Sequence, residues 1–207
     1  MNGRNPGRIT RPAAGGCPAR DPARRASPIA RQPYSSRRLS YAALLVAAGL
    51  TGVYAETIPN FEVLTLVVFC AGVLLGARDG ALVGGVSMLL YSLLNPYGPA
   101  PPLVTAAQVV GSAAAGVAGA MFAAAGLPRG PAGARAGVLA LAAIGITAFF
   151  DLITNVATGL VYGQMKMWLI GGIAFSLWHI GTNVALFVVL GTTLTAVFAR
   201  YAERLSV

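Results

Sequence analysis

The sequence predicts an all-α membrane protein, a compact bundle of six transmembrane helices with both termini in the cytoplasm. Three observations favour this fold class. Hydrophobic residues make up 56% of the 207 residues and charged residues only 10%, whereas a soluble domain carries roughly 25% charged residues. Apolar runs alternate with short stretches rich in glycine, proline and asparagine. Lysine and arginine are concentrated at the chain start and in one set of connections.

The first 39 residues differ in composition from the rest of the chain. Residues 1–38 hold nine arginines and one acid, Asp21, and lack an apolar run of signal-peptide length. We expect a disordered basic cytoplasmic tail over 1–39 and a transmembrane domain over 40–207. A transit peptide has a similar composition and stays an alternative. Nucleic-acid binding is not expected, because the arginines are not interleaved with aromatic residues.

Six apolar segments follow the tail, and each ends at turn-forming or charged residues. They cover 41–55, 63–76, 81–94, 103–126, 138–162 and 168–199, and end at "IPNFE", "ARDG", "NPYGPAPP", "LPRGPAGARAG", "GQMKM" and "RYAERLSV" respectively. The first three are short for a bilayer that needs about 20 helical residues. We therefore expect neighbouring polar residues to extend these helices, or the helices to tilt.

The distribution of basic residues predicts the orientation. Six spans put both termini on one side, which then carries the nine tail arginines together with Arg78, Arg129, Arg135, Arg200 and Arg204. The opposite side carries Lys166 alone. Because basic loops stay in the cytoplasm, we expect cytoplasmic termini in a multi-pass protein of the cell membrane. The abundance of Ala, Gly, Arg and Pro favours a bacterial inner membrane.

Small residues recur at four-residue spacing, which lets helix backbones approach closely in lipid. The rows are Ala43 and Ala47, Ala48 and Gly52, Gly76, Gly80 and Gly84, and Gly111, Ala115 and Gly119. We expect most of these rows to pack helices within the bundle. The row in the first span lies next to the basic tail and could face a partner helix instead.

Polar side chains concentrate in the outer half of spans three to six, as the helical rise of 1.5 Å per residue indicates. Ionisable residues inside a membrane are costly and normally face the bundle interior or a wet cavity. We therefore predict an outward-facing substrate pocket formed by Tyr91, Asn95, Gln108, Asp151, Asn155, Trp168 and His179. The alternatives are structural: Asp151 could bond to Asn155 or a nearby backbone group, and His179 to a carbonyl or to Asp151.

The sequence lacks the motifs of common enzymes and nucleotide sites. It holds no Gly-framed nucleophile of a Ser-His-Asp set, no HExxH and no GxxxxGK phosphate loop. One histidine and two distant cysteines argue against a dedicated metal site and against a disulfide framework. We therefore predict that the chain is not an enzyme and binds no cofactor itself. An acid–base pair of Asp151 and His179 remains an alternative if the two come within hydrogen-bond reach.

Several stretches resemble the S components of energy-coupling factor (ECF) vitamin transporters. "LVVFCAGVLLGARDGALVGGVSMLLYSLL" resembles their second and third helices, and "NPYGPAPP" the proline-rich outer loop that follows. "FDLITNVATGLVYG" and "FSLWHIGTNVALFVVL" resemble helices five and six, including a His-x-x-x-Asn pair. The Ala43–Ala47 row is similar to the AxxxA surface on the first helix of the family. The resemblance covers about residues 40–205.

This resemblance implies a six-helix subunit that captures one vitamin or related micronutrient from outside. Asn95, Gln108, Asp151, Asn155 and Trp168 would line its pocket, and Ala43 and Ala47 would contact a transmembrane coupling subunit. Two ATPase subunits would supply the ATP hydrolysis, because the chain has no nucleotide site. A stand-alone small-molecule carrier or channel, which would work without ATPases, stays the main alternative.

Overall fold

The computed structural model describes residues 36–55, 61–96 and 98–205, and every regular element in them is helical. The helices are α1 (Ser36–Tyr54), α2 (Leu64–Leu75), α3 (Ala77–Leu93), α4 (Pro102–Ala124), α5 (Ala132–Tyr162), α6 (Met165–Gly171), α7 (Ile173–Leu186) and α8 (Thr192–Leu205). A 3-10 turn, Leu127–Arg129, lies between α4 and α5, and a π-helical turn, Phe187–Gly191, joins α7 to α8.

Three helices are long and apolar enough to cross a membrane: Pro102–Ala124, Ala132–Tyr162 and the continuous helix Ile173–Leu205. Large apolar side chains also cover the outside of the bundle. Leu44 on α1, Leu141 on α5 and Val189 beside α7 are each more than 60% exposed. Such an apolar surface is unfavourable in water and suits lipid. The chain therefore has the surface and the helices of a membrane-embedded helical protein.

α2 is the centre of the bundle because its side chains are apolar on all sides. Ten of its twelve residues are buried. The ring of Phe69 packs against Phe122 of α4, with centroids 5.5 Å apart, and against Phe187 at 5.2 Å. A helix of this kind is stabilised by neighbours on every side, and α1, α3, α4 and α8 all contact it.

Glycines bring α2, α3 and α4 into backbone contact. A Cβ at Gly80 would lie 2.6 Å from Gly72 Cα and 3.0 Å from Gly116 O, and a Cβ at Gly84 would lie 2.5 Å from Ser112 O. No side chain fits at these distances. The prediction that the small-residue rows pack helices within the bundle is thus confirmed for the row on α3. Gly76 differs, because its φ of 89° forms the one-residue turn between α2 and α3.

Ion pairs join the elements at the end of the bundle where α3 begins and α4 ends. Arg38 of α1 donates from Nη2 to Asp79 Oδ2 (2.9 Å) and also to Leu75 O, the carbonyl at the end of α2. Arg129 pairs with Glu203 of α8. The basic residues of α1, of the α4–α5 connection and of α8 thus lie at one end of the bundle, which we name the basic end.

The helix boundaries differ from the predicted segments in three places. α1 begins at Ser36, inside the predicted tail 1–39, and residues 1–35 lie outside the described part of the chain. Residues 77–80 of the predicted "ARDG" link form the first turn of α3, because Gly76 alone makes the turn. The sixth segment is divided at Gly172, so that residues 165–171 form the separate helix α6.

Candidate functional site

A polar cavity of about 320 Å³ lies between α3, α4, α5 and α7, toward the end of the bundle opposite the basic end. Its polar lining comes from five helices, from the connection before α2 and from the α3–α4 connection. These residues are Glu62, Thr65, Tyr91, Asn95, Gln108, Ser112, Thr147, Asp151, Thr154, Asn155, Thr158 and His179. A cavity of roughly 300–1,000 Å³ with a few polar groups on an apolar wall is typical of small-molecule sites.

The cavity brings together most of the residues that the sequence predicts for a substrate pocket. Six line it: Tyr91, Asn95, Gln108, Asp151, Asn155 and His179. They come from α3, the α3–α4 connection, α4, α5 and α7. These residues are far apart in sequence, and the fold brings them to one cavity. Their role in ligand binding remains a prediction.

Trp168 lies outside the cavity lining, in contrast to the prediction. It belongs to α6, and its ring packs against Tyr162 with centroids 6.0 Å apart. The physical reason is the break at Gly172, which separates α6 from α7. A Cβ at Gly172 would lie 2.8 Å from Asn155 Nδ2, so Asn155 packs beneath this junction while Trp168 is held away from the cavity.

Asp151 and His179 form the buried polar contact at the base of the site. His179 Nδ1 lies 2.9 Å from Asp151 Oδ1, and both residues are more than 90% buried. Phe150 meets the imidazole ring edge-on, with centroids 6.2 Å apart. The second carboxylate oxygen, Asp151 Oδ2, is buried and has no hydrogen-bond partner within the described part of the chain. Because an unsatisfied buried acceptor costs stability, this atom is the strongest indication of a ligand.

One face of α5 presents a row of polar side chains to the cavity. Thr147, Asp151, Thr154 and Thr158 are three or four residues apart, as a single helix face requires. The hydroxyls of Thr154 and Thr158 donate to carbonyls of their own helix, Phe150 O (2.8 Å) and Thr154 O (2.7 Å). Thr147 Oγ1, buried one turn before Asp151, has no such partner in the described residues.

The wall formed by α3 and α4 is held by a side-chain hydrogen bond. Ser92 Oγ donates to Gln108 Oε1 at 2.8 Å, and Ser92 is fully buried. This bond fixes the amide of Gln108 at the cavity surface. Tyr91 is held from the other side by Tyr54 of α1, with ring centroids 5.7 Å apart. Gln108 and Tyr91 are therefore placed by packing before any ligand arrives.

Glu62 is a cavity residue that the sequence analysis did not select. It precedes α2, where its carboxylate accepts hydrogen bonds from the backbone N–H groups of Leu64 and Thr65 and from Thr65 Oγ1 (2.9 Å). An acid is favoured at a helix N-terminus by the helix dipole. The signal available in the sequence was the presence of two acids, Glu56 and Glu62, close together between the first two apolar segments.

Burial raises the pKa of Glu62 above its ordinary value of 4.5. The hydrogen bonds from Thr65 and Leu64 and the charge of His179 act in the opposite direction, but burial is the larger effect. The three hydrogen bonds that the Glu62 carboxylate accepts therefore stabilise its charge by less than burial destabilises it. Among the described residues, no group of three His, Cys, Asp or Glu side chains is placed to hold a metal ion.

A separate apolar groove runs between α1 and α3, near the basic end. It is lined by Leu39, Ala42, Ala43, Val46, Ala47, Leu50, Arg78, Asp79, Leu82, Val83 and Val86. Ala43 and Ala47 are exposed on α1, as is Ala48, which lies outside the groove. The small side chains leave the backbone of α1 open to close approach by another helix.

Comparison of the chain with protein-family models, with curated proteins and with solved structures gave no match.

Proposed function

We propose that this chain is the membrane-embedded substrate-binding subunit of an ECF-type importer. It captures a vitamin or related micronutrient from outside the cell for ATP-driven uptake by partner subunits. The observation that carries the proposal is the polar cavity with the buried, unpartnered Asp151 Oδ2. A buried carboxylate oxygen without a donor is costly, and a ligand that donates a hydrogen bond or carries positive charge removes that cost.

The position of the cavity supports capture from outside. The cavity lies away from the basic end of the bundle, and basic ends of membrane proteins face the cytoplasm. We therefore propose six membrane spans with both termini in the cytoplasm. α2 and α3 are shorter than the roughly 20 residues that a bilayer of about 30 Å requires, and local thinning of the bilayer accommodates short helices. α2 is in addition surrounded by neighbouring helices, which shield it from lipid.

The groove between α1 and α3 suits a transmembrane coupling subunit. Ala43 and Ala47 line it, and its other lining residues are apolar except Arg78 and Asp79. Helix association in lipid depends on close van der Waals packing at such small residues. In this proposal the coupling subunit binds here and connects the chain to two ATPase subunits, while the chain itself binds no nucleotide.

The experiment is affinity purification of the full chain from its native host in mild detergent. The proposal expects a transmembrane coupling subunit and two ATPases to be co-purified and identified by mass spectrometry. The double variant Ala43→Leu/Ala47→Leu loses them. Ala48→Leu, on the same helix but outside the groove, keeps them. A chain that transports its ligand with no ATPase bound in any variant is a stand-alone carrier, which contradicts the proposal.

The contact between Asp151 and His179 also meets the geometric condition for a second function, an intramembrane enzyme with an acid–base pair. The 2.9 Å separation is within hydrogen-bond reach. Alanine substitutions at Asp151 and His179 distinguish the two functions by their effects on turnover and on ligand binding. Alanine at either residue abolishes turnover and leaves ligand binding intact in an enzyme, whereas alanine at Asp151 weakens binding itself in a binding subunit.

A further inference from the structure

The charges around the cavity are unbalanced. Glu62 and Asp151 both line it, and none of the described lining residues is a lysine or an arginine. The connection 56–60, which precedes Glu62 in sequence, contains no basic residue either. His179 offers at most one positive charge, at its contact with Asp151. With both carboxylates ionised, the site therefore carries at least one negative charge in either protonation state of His179.

The carboxylates of Asp151 and Glu62 have different hydrogen-bond donors, and each can accept further hydrogen bonds. Asp151 gives Oδ1 to His179 and leaves Oδ2 buried without a donor among the described residues. Glu62 accepts only neutral N–H and O–H donors. Hydrogen bonds between ionised partners are roughly twice as strong as those between neutral ones. A cation in the cavity would therefore gain from both groups.

Aromatic rings complete the environment of the two acids. Tyr91 of α3, Phe150 of α5 and Phe175 of α7 line the same cavity. The face of an aromatic ring attracts a cation, and this attraction grows where water is excluded. Two acids with three aromatic rings, in a cavity of about 320 Å³, match an organic cation better than a hydrated metal ion.

We infer that the ligand of this cavity carries a positively charged nitrogen, as a protonated amine or a cationic nitrogen heterocycle, bound by Asp151 and Glu62. The inference rests on the proposed function, since it assigns the ligand class of the proposed binding site. It adds a property that the proposal leaves open, because vitamin-like ligands include neutral and anionic molecules. Asp151 and Glu62 each supply one negative charge to the site.

The test uses one ring with three charges: 1-methylnicotinamide, a permanent cation, nicotinamide, which is neutral, and nicotinate, an anion. Each is titrated into the full-length protein in detergent, and binding is measured from the shift in thermal unfolding. We expect the cation to raise the unfolding temperature at lower concentration than the other two. Glu62→Gln and Asp151→Asn each weaken its binding by about ten- to a hundredfold, the effect of losing one charge-assisted hydrogen bond.

Glu203→Gln is the matched control, since it removes one acid at the basic end and leaves the cavity unchanged. Glu62→Gln and Asp151→Asn both keep nearly the size and shape of the original side chain, and both are measured so that a folding defect in one of them does not decide the result. Equal stabilisation by all three probes, or the strongest stabilisation by nicotinate, overturns the inference but keeps a binding site. Failure of all three probes also overturns it. A small molecule that co-purifies with the protein would then still support the proposed function, and an empty protein would contradict both.

Discussion

The contact between α3 and α4 at Gly84 couples the packing of the bundle to the cavity, and Gly84→Ala tests it. A Cβ at this position lies 2.5 Å from Ser112 O, 2.8 Å from Ser112 C and 2.8 Å from Val68 Cγ1. Two of these atoms are backbone, so rotation of a side chain cannot relieve the overlap. The contact must widen beyond 3.0 Å, and Ser112, which lines the cavity, must move with α4.

The expected cost follows from this geometry. Overpacking of a close-packed interior costs about 1–3 kcal/mol, and we expect the upper half of that range because the obstacle is backbone. Gly145→Ala, in α5, is the matched control, since a Cβ there meets no atom within 4 Å. That substitution gains about 0.5–1 kcal/mol, because alanine favours a helix over glycine.

Thermal unfolding of both purified variants in the same detergent measures the difference. We expect Gly84→Ala to unfold at least several degrees below wild type and Gly145→Ala at or above it. Gly84→Ala should also bind the ligand of the cavity more weakly, because Ser112 is displaced. If Gly84→Ala is as stable as Gly145→Ala, then α3 and α4 are not in backbone contact and the described bundle is wrong.

Two further predictions concern charged groups. Burial raises the pKa of the Glu62 carboxyl group in the folded protein above 4.5. As pH rises, the carboxyl group therefore loses its proton in the unfolded chain before it does so in the folded protein. The stability that the protonated group contributes is lost as pH rises from 4.5 through the raised pKa. The unfolding temperature of the ligand-free protein, relative to that of Glu62→Gln, should therefore fall over this range, and a constant difference would contradict the burial of Glu62. Arg38→Gln removes the 2.9 Å ion pair with Asp79 and should lower the free energy of unfolding by about 1–3 kcal/mol, whereas its exposed neighbour Arg37→Gln should change it little.

The sequence was sufficient to predict most helices and their order. Apolar runs and their breaks located α1 to α5 to within about five residues at most boundaries, because glycine, proline and charge end helices locally. The break at Gly172 was missed, although Gly171 and Gly172 form a Gly-Gly pair that favours a turn, because the pair lies inside a long apolar run. That break separates Trp168 from α7, and a packing contact between Gly172 and Asn155 accompanies it.

The candidate site was predictable in part, for a physical reason. Depth along a helix follows from residue count, so Asp151 and His179 could be placed near one level and Gln108 in the same half of the bundle. Which way each side chain points depends on how helices rotate and pack against one another, and the sequence does not contain that directly. Glu62 was missed because it lies before α2, whereas the polar residues considered for the pocket were those of spans three to six.

Mass spectrometry of small molecules released from the purified full-length protein tests the central claim most directly. We expect one organic molecule per chain in wild type. We expect this molecule to be lost in the Asp151→Asn/Asn155→Ala variant and retained in a Thr51→Ala control on the exposed face of α1. An empty wild-type protein that no micronutrient stabilises against heat, or equal retention in all three proteins, would contradict the claim that this cavity is a binding site.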